Sequence, residues 1–420
     1  MLRTPPRTDG DSLKRSDESV LEAAQRISSS GDFGVLPIQG PPGAGKTYTG
    51  ARLIAELIAQ GARVGITANS HRVIGNLLAG TLEAADERDI NLRAVRKVTK
   101  GQQIDIDDRR VKLETDNPPV FEALRGGRRL VAGTAWLWAR EEAQSAVDVL
   151  VVDEAAQMSL ANVLAVSHAA PNMVLLGDPQ QLEQPLQGSH PDGGDVSALA
   201  HLIGNHETIE ASRGLFLEET WRLHPDICTF TSEMFYEDKL RSRPGLEQQG
   251  VIAEGALSGA GLRYLPVIHT GNQSSSDEEV ERIAVLVNSL VGKAGWVDRR
   301  GAQRSLGWDD ILIIAPYNAQ VFKLQARLPE ARIGTVDKFQ GQESPIVIYS
   351  MTTSTPAEAP HGMEFLYSLN RLNVATSRAQ GMCILVGSPA LFSPDCSTER
   401  QMRLANAFCR YRELALSIEP

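Results

Sequence analysis

No run of 18 apolar residues occurs in these 420 residues, which excludes a conventional membrane-spanning helix. The first thirty residues are polar and mixed in charge, so the apolar segment of a secretory signal is missing too, and a cytoplasmic protein is expected. Cysteine is scarce: Cys228, Cys383, Cys396 and Cys409 form no Cys-x2-Cys pair, which argues against zinc or an iron–sulfur cluster and for free, buried thiols. A positive charge excess is absent as well. The formal net charge of -10 argues against a protein that coats nucleic acid non-specifically, but not against a narrow groove lined locally by Lys and Arg. There is no internal repeat and no low-complexity tract.

What the chain does have is 42% hydrophobic content, enough for two cores of ordinary size. Met1 to Lys14 is rich in Pro, Arg, Asp and Gly and reads as a mobile tail, followed by a short helix over Val20 to Ile27. Apolar strands then alternate with helical stretches: Val35 to Ile38, Val64 to Thr67, Leu130 to Ala132, Val149 to Val152 and Met173 to Leu176. That alternation predicts an α/β fold on a parallel sheet. A second series runs through Leu215 to Leu217, Arg263 to Ile268, Ile311 to Ile314, Ile333 to Thr335, Ile346 to Tyr349 and Cys383 to Val386, predicting a second α/β domain. The polar stretches Gly188 to Asp195 and Gly204 to Gly214 read as the connection. The expected division is a tail and lead-in helix over 1–30, a first domain over 31–213 and a second over 214–420.

Gly40-Pro41-Pro42-Gly43-Ala44-Gly45-Lys46-Thr47 follows the first strand and opens an amphipathic segment from Tyr48 to Ala59. Strand, glycine-rich loop and helix make a Walker A phosphate site. Glycines let backbone N–H groups turn onto an anion and the helix N-terminus adds partial positive charge. Lys46 can reach the β and γ phosphates, and Thr47 can ligate Mg²⁺. Asp153-Glu154 closes the apolar run Val147 to Val152, placing two acids at the C-terminal end of a buried strand, where α/β sheets bind ligands. Asp153 suits the metal, and Glu154 suits the proton of an attacking water. Such a pair elsewhere is commonly a solvated turn.

Asp153-Glu154-Ala155-Ala156-Gln157 resembles motif II of superfamily 1 helicases, in the branch of the nonsense-mediated-decay helicase and the replication nuclease-helicase. Further matches follow in order: Gly177 to Leu182 resembles motif III, Glu219 to Pro225 motif IV, Asp337 to Glu343 motif V and Arg371 to Ala379 motif VI. The wording of the chain most resembles the helicase half of bacterial RecB-like nuclease–helicase fusions. The resemblance implies two tandem RecA-like P-loop NTPase domains with an ATP cleft between the lobes. It implies Gln181 as γ-phosphate sensor, Arg222 and Arg378 as the arginines that stabilise transferring phosphate, Trp221 stacked on adenine, and Gly341 and Glu343 near the ribose. Tyr48 would border the nucleotide. Each arginine taken alone reads as a surface ion-pair member, and Trp221 alone as a core residue. The family's adenine-reading Gln lies upstream of Walker A, where this chain offers only Gln25.

Thr67 to His71 resembles motif Ia, which implies that Asn69, Ser70 and His71 hold strand phosphates, although Asn69 or Ser70 also reads as a helix cap. Thr134 and Thr335 match further backbone-contact positions. Between Asn91 and Leu130 ten Lys or Arg face six Asp or Glu, so a short basic insert is expected, with Arg93, Arg96, Lys97, Lys100, Arg109 and Arg110 flanking the track or simply solvated. Together these imply an ATP- and Mg²⁺-dependent helicase moving 5′ to 3′ on single strands, DNA favoured over RNA, in repair or replication. The alternative is an ATPase that clamps strands or remodels proteins without separating them. About forty residues before Gly40 are too few for a nuclease fold, so no nuclease activity is expected in this chain, and the resemblance to the fusions implies a nuclease acting in trans as a candidate partner. A monomer is expected.

Overall fold

The computed structural model of the chain describes residues 3–8, 12–101, 106–182, 196–339 and 341–418. It divides into two compact units, one of Met1–Pro41, Gly45–Pro179 and Glu183–Leu217, the other of Pro42–Ala44, Gln180–Leu182 and Glu218–Pro420. The segment Gly188 to Asp195, read as part of the connection, lies outside the described residues.

In the first unit an eight-stranded sheet is parallel throughout. Its order from edge to edge is Val111–Glu114, Ala94–Lys97, Leu130–Ala132, Val64–Thr67, Val149–Val152, Asn172–Gly177, Val35–Gln39 and Leu215–Phe216. Strands buried on both faces need unbroken apolar runs, and Val149 to Val152 supplies one with every residue inside. The helix Lys46–Ala59 turns Leu53, Ile54, Leu57 and Ile58 inward at helical spacing. The stretch expected as a basic insert is built into the sheet: Ala94–Lys97 and Val111–Glu114 extend one side of it. The lead segment differs from a mobile tail over its described residues. Leu13 is buried, the Arg7 N–H donates to the Phe33 carbonyl, and helix Val20–Ser28 starts with a Ser19–Glu22 capping box.

The second unit carries a six-stranded parallel sheet in the order Arg332–Gly334, Ile311–Ile314, Ser344–Ser350, Ala379–Gly387, Gly261–Pro266 and Leu416–Ser417. A small antiparallel sheet of Gly250–Ile252, Gly295–Val297 and Gln303–Ser305 accompanies it. Beyond the C-terminal ends of its central strands lies a buried polar network. Glu279 accepts from the Ser350 hydroxyl at 2.5 Å and from the Thr352 N–H with both oxygens at 2.9 Å, and His269 Nε2 lies 3.1 Å from it. His269 Nδ1 in turn meets the Ser354 hydroxyl at 2.7 Å. These groups are all inside, and Thr352 takes the left-handed conformation at φ +71° to present its N–H.

Candidate nucleotide and nucleic-acid site

Parallel strands run the same way, so the loops that follow them gather along one edge of the sheet. Along that edge of the eight-stranded sheet lie the glycine-rich loop after Val35–Gln39, whose Pro42–Ala44 belong to the second unit, and Asp153-Glu154 after Val149–Val152, with strand Asn172–Gly177 between them. Gly43 and Gly45 take φ of +72° and +83°, a region that costs other residues strain, and the helix starting at Lys46 has no side chain capping its first N–H groups. Lys46 Nζ donates to the Gly40 carbonyl at 2.6 Å, so the amine lies across the loop. A Cβ on Gly40 would sit 2.3 Å from Lys46 Cγ, which reserves the position for glycine.

Asp153 is 3% exposed, and its Oδ1 accepts the Glu154 N–H at 2.9 Å. Burial, then the neighbouring Glu154 charge, push its carboxyl up to about 7, against the pull of Lys46. A buried carboxylate so destabilised is relieved by a hard cation. Asp153 with the Thr47 hydroxyl supplies the oxygen donors that Mg²⁺ prefers, so the residues fit that ion. Glu154 sits at φ +52°, a strained value for a non-glycine residue at the end of a strand. Gln157 in the same motif accepts from Asn69 Nδ2 at 2.8 Å, tying the motif Ia loop to the acids. Its own Nε2 is buried without a partner among the described residues.

Asn69 and Ser70 follow strand Val64–Thr67 on the same edge. Ser70 caps helix His71–Glu87, its hydroxyl accepting the Val73 N–H at 3.2 Å, and His71 Nε2 lies 3.3 Å from the Thr99 hydroxyl. Thr134 precedes the short helix Ala135–Trp138 without capping it through its side chain. The basic cluster is thinner than its sequence suggests. Arg96 is 1% exposed and donates to the His71 carbonyl at 2.8 Å, so it is interior scaffolding. Arg110 is paired with Asp108 and Asp86 at 2.8 and 2.5 Å, hydrogen bonds that raise its already high pKa. Arg93, Lys100 and Arg109 remain exposed, with Lys97 half-buried.

In the second unit Arg222 donates to Glu343 at 2.5 Å and to the Ser377 carbonyl at 3.1 Å. Burial would raise the Glu343 carboxyl, yet the Arg222 charge and hydrogen bonds from Arg222 and Gln380 hold it below its ordinary range. Glu343, expected at the ribose, pairs here with Arg222 and accepts from Gln380. Arg378 is 2% exposed and donates to Gln181 Oε1 at 3.2 Å. Asn370 and Asn373, three apart on helix Leu369–Ser377, donate to the carbonyls of Gln181 and Gln180. The sequence assigns no role to those asparagines or to Gln380, although Asn373 lies in the motif VI stretch; for Asn370 and Asn373 the available signal was their spacing on one helix face. Trp221 is 46% exposed, so it is no core residue, and its backbone N–H donates to the Gly43 carbonyl at 2.9 Å. The Arg243 guanidinium lies 3.5 Å over its ring. Tyr48, in the first unit, likewise carries Arg52 on its ring at 3.4 Å. Gly341 is left-handed at φ +76°, while its neighbour Gln340 lies outside the described residues. Thr335 is half-buried and accepts the Lys338 N–H through its carbonyl. Gln25 sits half-buried on helix Val20–Ser28. All four cysteines are free, and burial raises the Cys228 thiol to about 11 and Cys383 to about 12, which makes both inert. Among the described residues no helix is long and apolar enough to cross a membrane.

Two stretches match AAA-domain families, residues 17–192 and 195–390. The chain is 26% identical over 423 residues to the DNA replication ATP-dependent helicase/nuclease dna2 of Schizosaccharomyces pombe, covering 92% of this chain and 28% of that protein. It is 26% identical to the helicase sen1 of the same yeast, covering 59% and 15%, and 25% identical to the DNA-binding protein SMUBP-2 of Mesocricetus auratus, covering 82% and 40%. It thus spans well under half the length of these relatives. Two AAA-domain matches that together run along most of the chain, on two parallel sheets, and relatives that are helicases bear out its resemblance to superfamily 1, in the branch of the nonsense-mediated-decay and replication helicases.

Proposed function

We propose that the chain is an ATP-driven translocase on single-stranded nucleic acid, DNA favoured, that separates duplexes from 5′ to 3′ in repair or replication. The observation that carries this is the shared sheet edge: a phosphate loop and an Asp-Glu pair flank one strand, and Asn69, Ser70 and Thr134 lie on the loops beside them. Lys46 and the loop amides hold the phosphates of ATP, and Thr47 with Asp153 holds Mg²⁺. That ion, when bound, neutralises charge building on the phosphate oxygens. Glu154 takes the proton of the attacking water, and Gln181, Arg222 and Arg378 sense and stabilise the transferring phosphate. Hydrolysis alternates the grip on the strand and so produces steps. Trp221 offers adenine its exposed indole, and Gly341 leaves backbone close to the sugar.

The test is a series of ATPase and unwinding assays on DNA and RNA duplexes with a 5′ or a 3′ overhang. Strand-stimulated hydrolysis with displacement from 5′ overhangs is expected, and Lys46→Ala and Glu154→Gln should each lower turnover about a thousandfold or more. Hydrolysis indifferent to every strand sinks the proposal. Stimulation without displacement replaces it with a strand clamp or remodelling ATPase.

A further inference from the structure

Among the described residues Trp136 is the most exposed large apolar side chain, at 87%, ahead of Ile268 at 85% and Phe322 at 69%. Leaving an indole in water forfeits a few kcal/mol of burial, roughly 1.5–3 for a large apolar side chain, so a partner is the economical explanation. Its setting is rigid. Two residues on, Trp138 is fully buried, and its indole N–H donates to the Ile66 and Gly133 carbonyls at 3.1 and 3.2 Å. The Gly133 N–H returns a bond to the Ile66 carbonyl at 3.0 Å. A Cβ on Gly133 would lie 2.5 Å from Leu137 and 3.3 Å from Lys97, so the turn is closely packed and Trp136 is displayed from a fixed base.

The position on the sheet says what the indole meets. Strand Leu130–Ala132 lies between Ala94–Lys97 and Val64–Thr67, so the Trp136 turn stands between the Thr99-Lys100 loop and the Asn69-Ser70-His71 loop. The two flanking loops meet through His71 and Thr99. An apolar ring within a row of small polar and basic side chains matches a nucleic-acid strand, whose phosphates seek the polar row and whose unpaired bases offer π-faces to an aromatic. Resting on the function proposed above, the geometry points to Trp136 as a stacking platform for one unpaired base of the bound single strand. Asn69, Ser70 and Lys100 contact the backbone beside it.

The experiment measures binding of the whole chain to labelled oligo-deoxythymidine and oligouridine, and to a strand carrying base-free sugars throughout. Trp136→Ala should weaken binding to the base-bearing strand roughly 5- to 100-fold, whereas Trp136→Phe keeps most of the affinity. The wild type should prefer the base-bearing strand over the base-free one, and Trp136→Ala should lose that preference. The slope of log affinity against log salt should stay unchanged in both variants, because stacking releases no counterions. Unaltered chemical unfolding in Trp136→Ala excludes a structural role. Equal affinity of wild type and Trp136→Ala overturns the inference alone. So does a wild-type dimer that becomes a monomer on Trp136→Ala, which would mean that a second copy covers the ring. A wild type that binds neither strand overturns both this inference and the function it rests on.

Discussion

The two sheets are alike in being parallel throughout, yet what lies beyond the C-terminal ends of their strands is used in opposite ways. Beyond the first sheet the left-handed glycines and a helix start without a side-chain cap suit an anion, and a buried Asp153 beside a second acid suits a cation. In the second, the corresponding groups satisfy one another, with Glu279 taking hydrogen bonds from Ser350 and Thr352 beside His269, and His269 meeting Ser354. A polar group left with capacity is available to a ligand, whereas one fully engaged inside the protein contributes rigidity. Architecture alone does not tell the two apart; residue chemistry does.

That contrast can be broken. Glu279→Ala should cost about 3–5 kcal/mol of stability, because it strands several buried donors at once. Unfolding in urea measures it, and a variant as stable as wild type would remove the network from the comparison. Asp153 should behave in the reverse sense. Its folded carboxyl titrates near 7, above the unfolded value of about 3.9, so the folded state binds more protons between those limits. Without divalent ions, stability should therefore fall as pH rises from about 4 to about 7, and Asp153→Asn should gain up to about 4 kcal/mol at pH 8 and nothing at pH 3 while losing hydrolysis. A pH-independent difference would contradict the sign. The smallest effect concerns two neighbouring arginines. Arg96→Ala should lose about 1–3 kcal/mol of stability with its buried bond to His71. Arg93→Ala should change stability by under about 0.5 kcal/mol and lower the salt slope of strand binding by about 1. Identical phenotypes would merge what burial separates.

These neighbours also mark where reading residues in order stops. Both sheets were legible because strands buried on both faces spell continuous apolar runs, as Val149 to Val152 and Ile311 to Ile314 do. The turns of the glycine-rich loop were legible because only glycine tolerates them without strain. Ala94–Lys97 was not, since a strand ending in Arg96 and Lys97 looks like a solvated charged stretch until Val131 and Lys112 are placed beside Val95. Likewise Glu343 and Arg222, or Glu279 and Ser350, are far apart in the chain, and no local pattern announces that they bond. Trp136 was hidden differently: buried Trp138 two residues on has the same letter, and only the folded turn sends one indole inward and the other out.

The strand order of the first sheet also governs how the protein can be made. Among the described residues Val35–Gln39, which leads into the glycine-rich loop, pairs with Asn172–Gly177 and Leu215–Phe216 and with no strand nearer in the chain. On a ribosome adding about 5–20 residues per second, that strand waits roughly 7–28 s for its first neighbour to be synthesised. Through that interval it is an unpaired apolar edge, and the unit can close only after the residues near Phe216 have emerged. Chaperone dependence during synthesis should therefore concentrate in the first unit, in the very segment that leads into the glycine-rich loop.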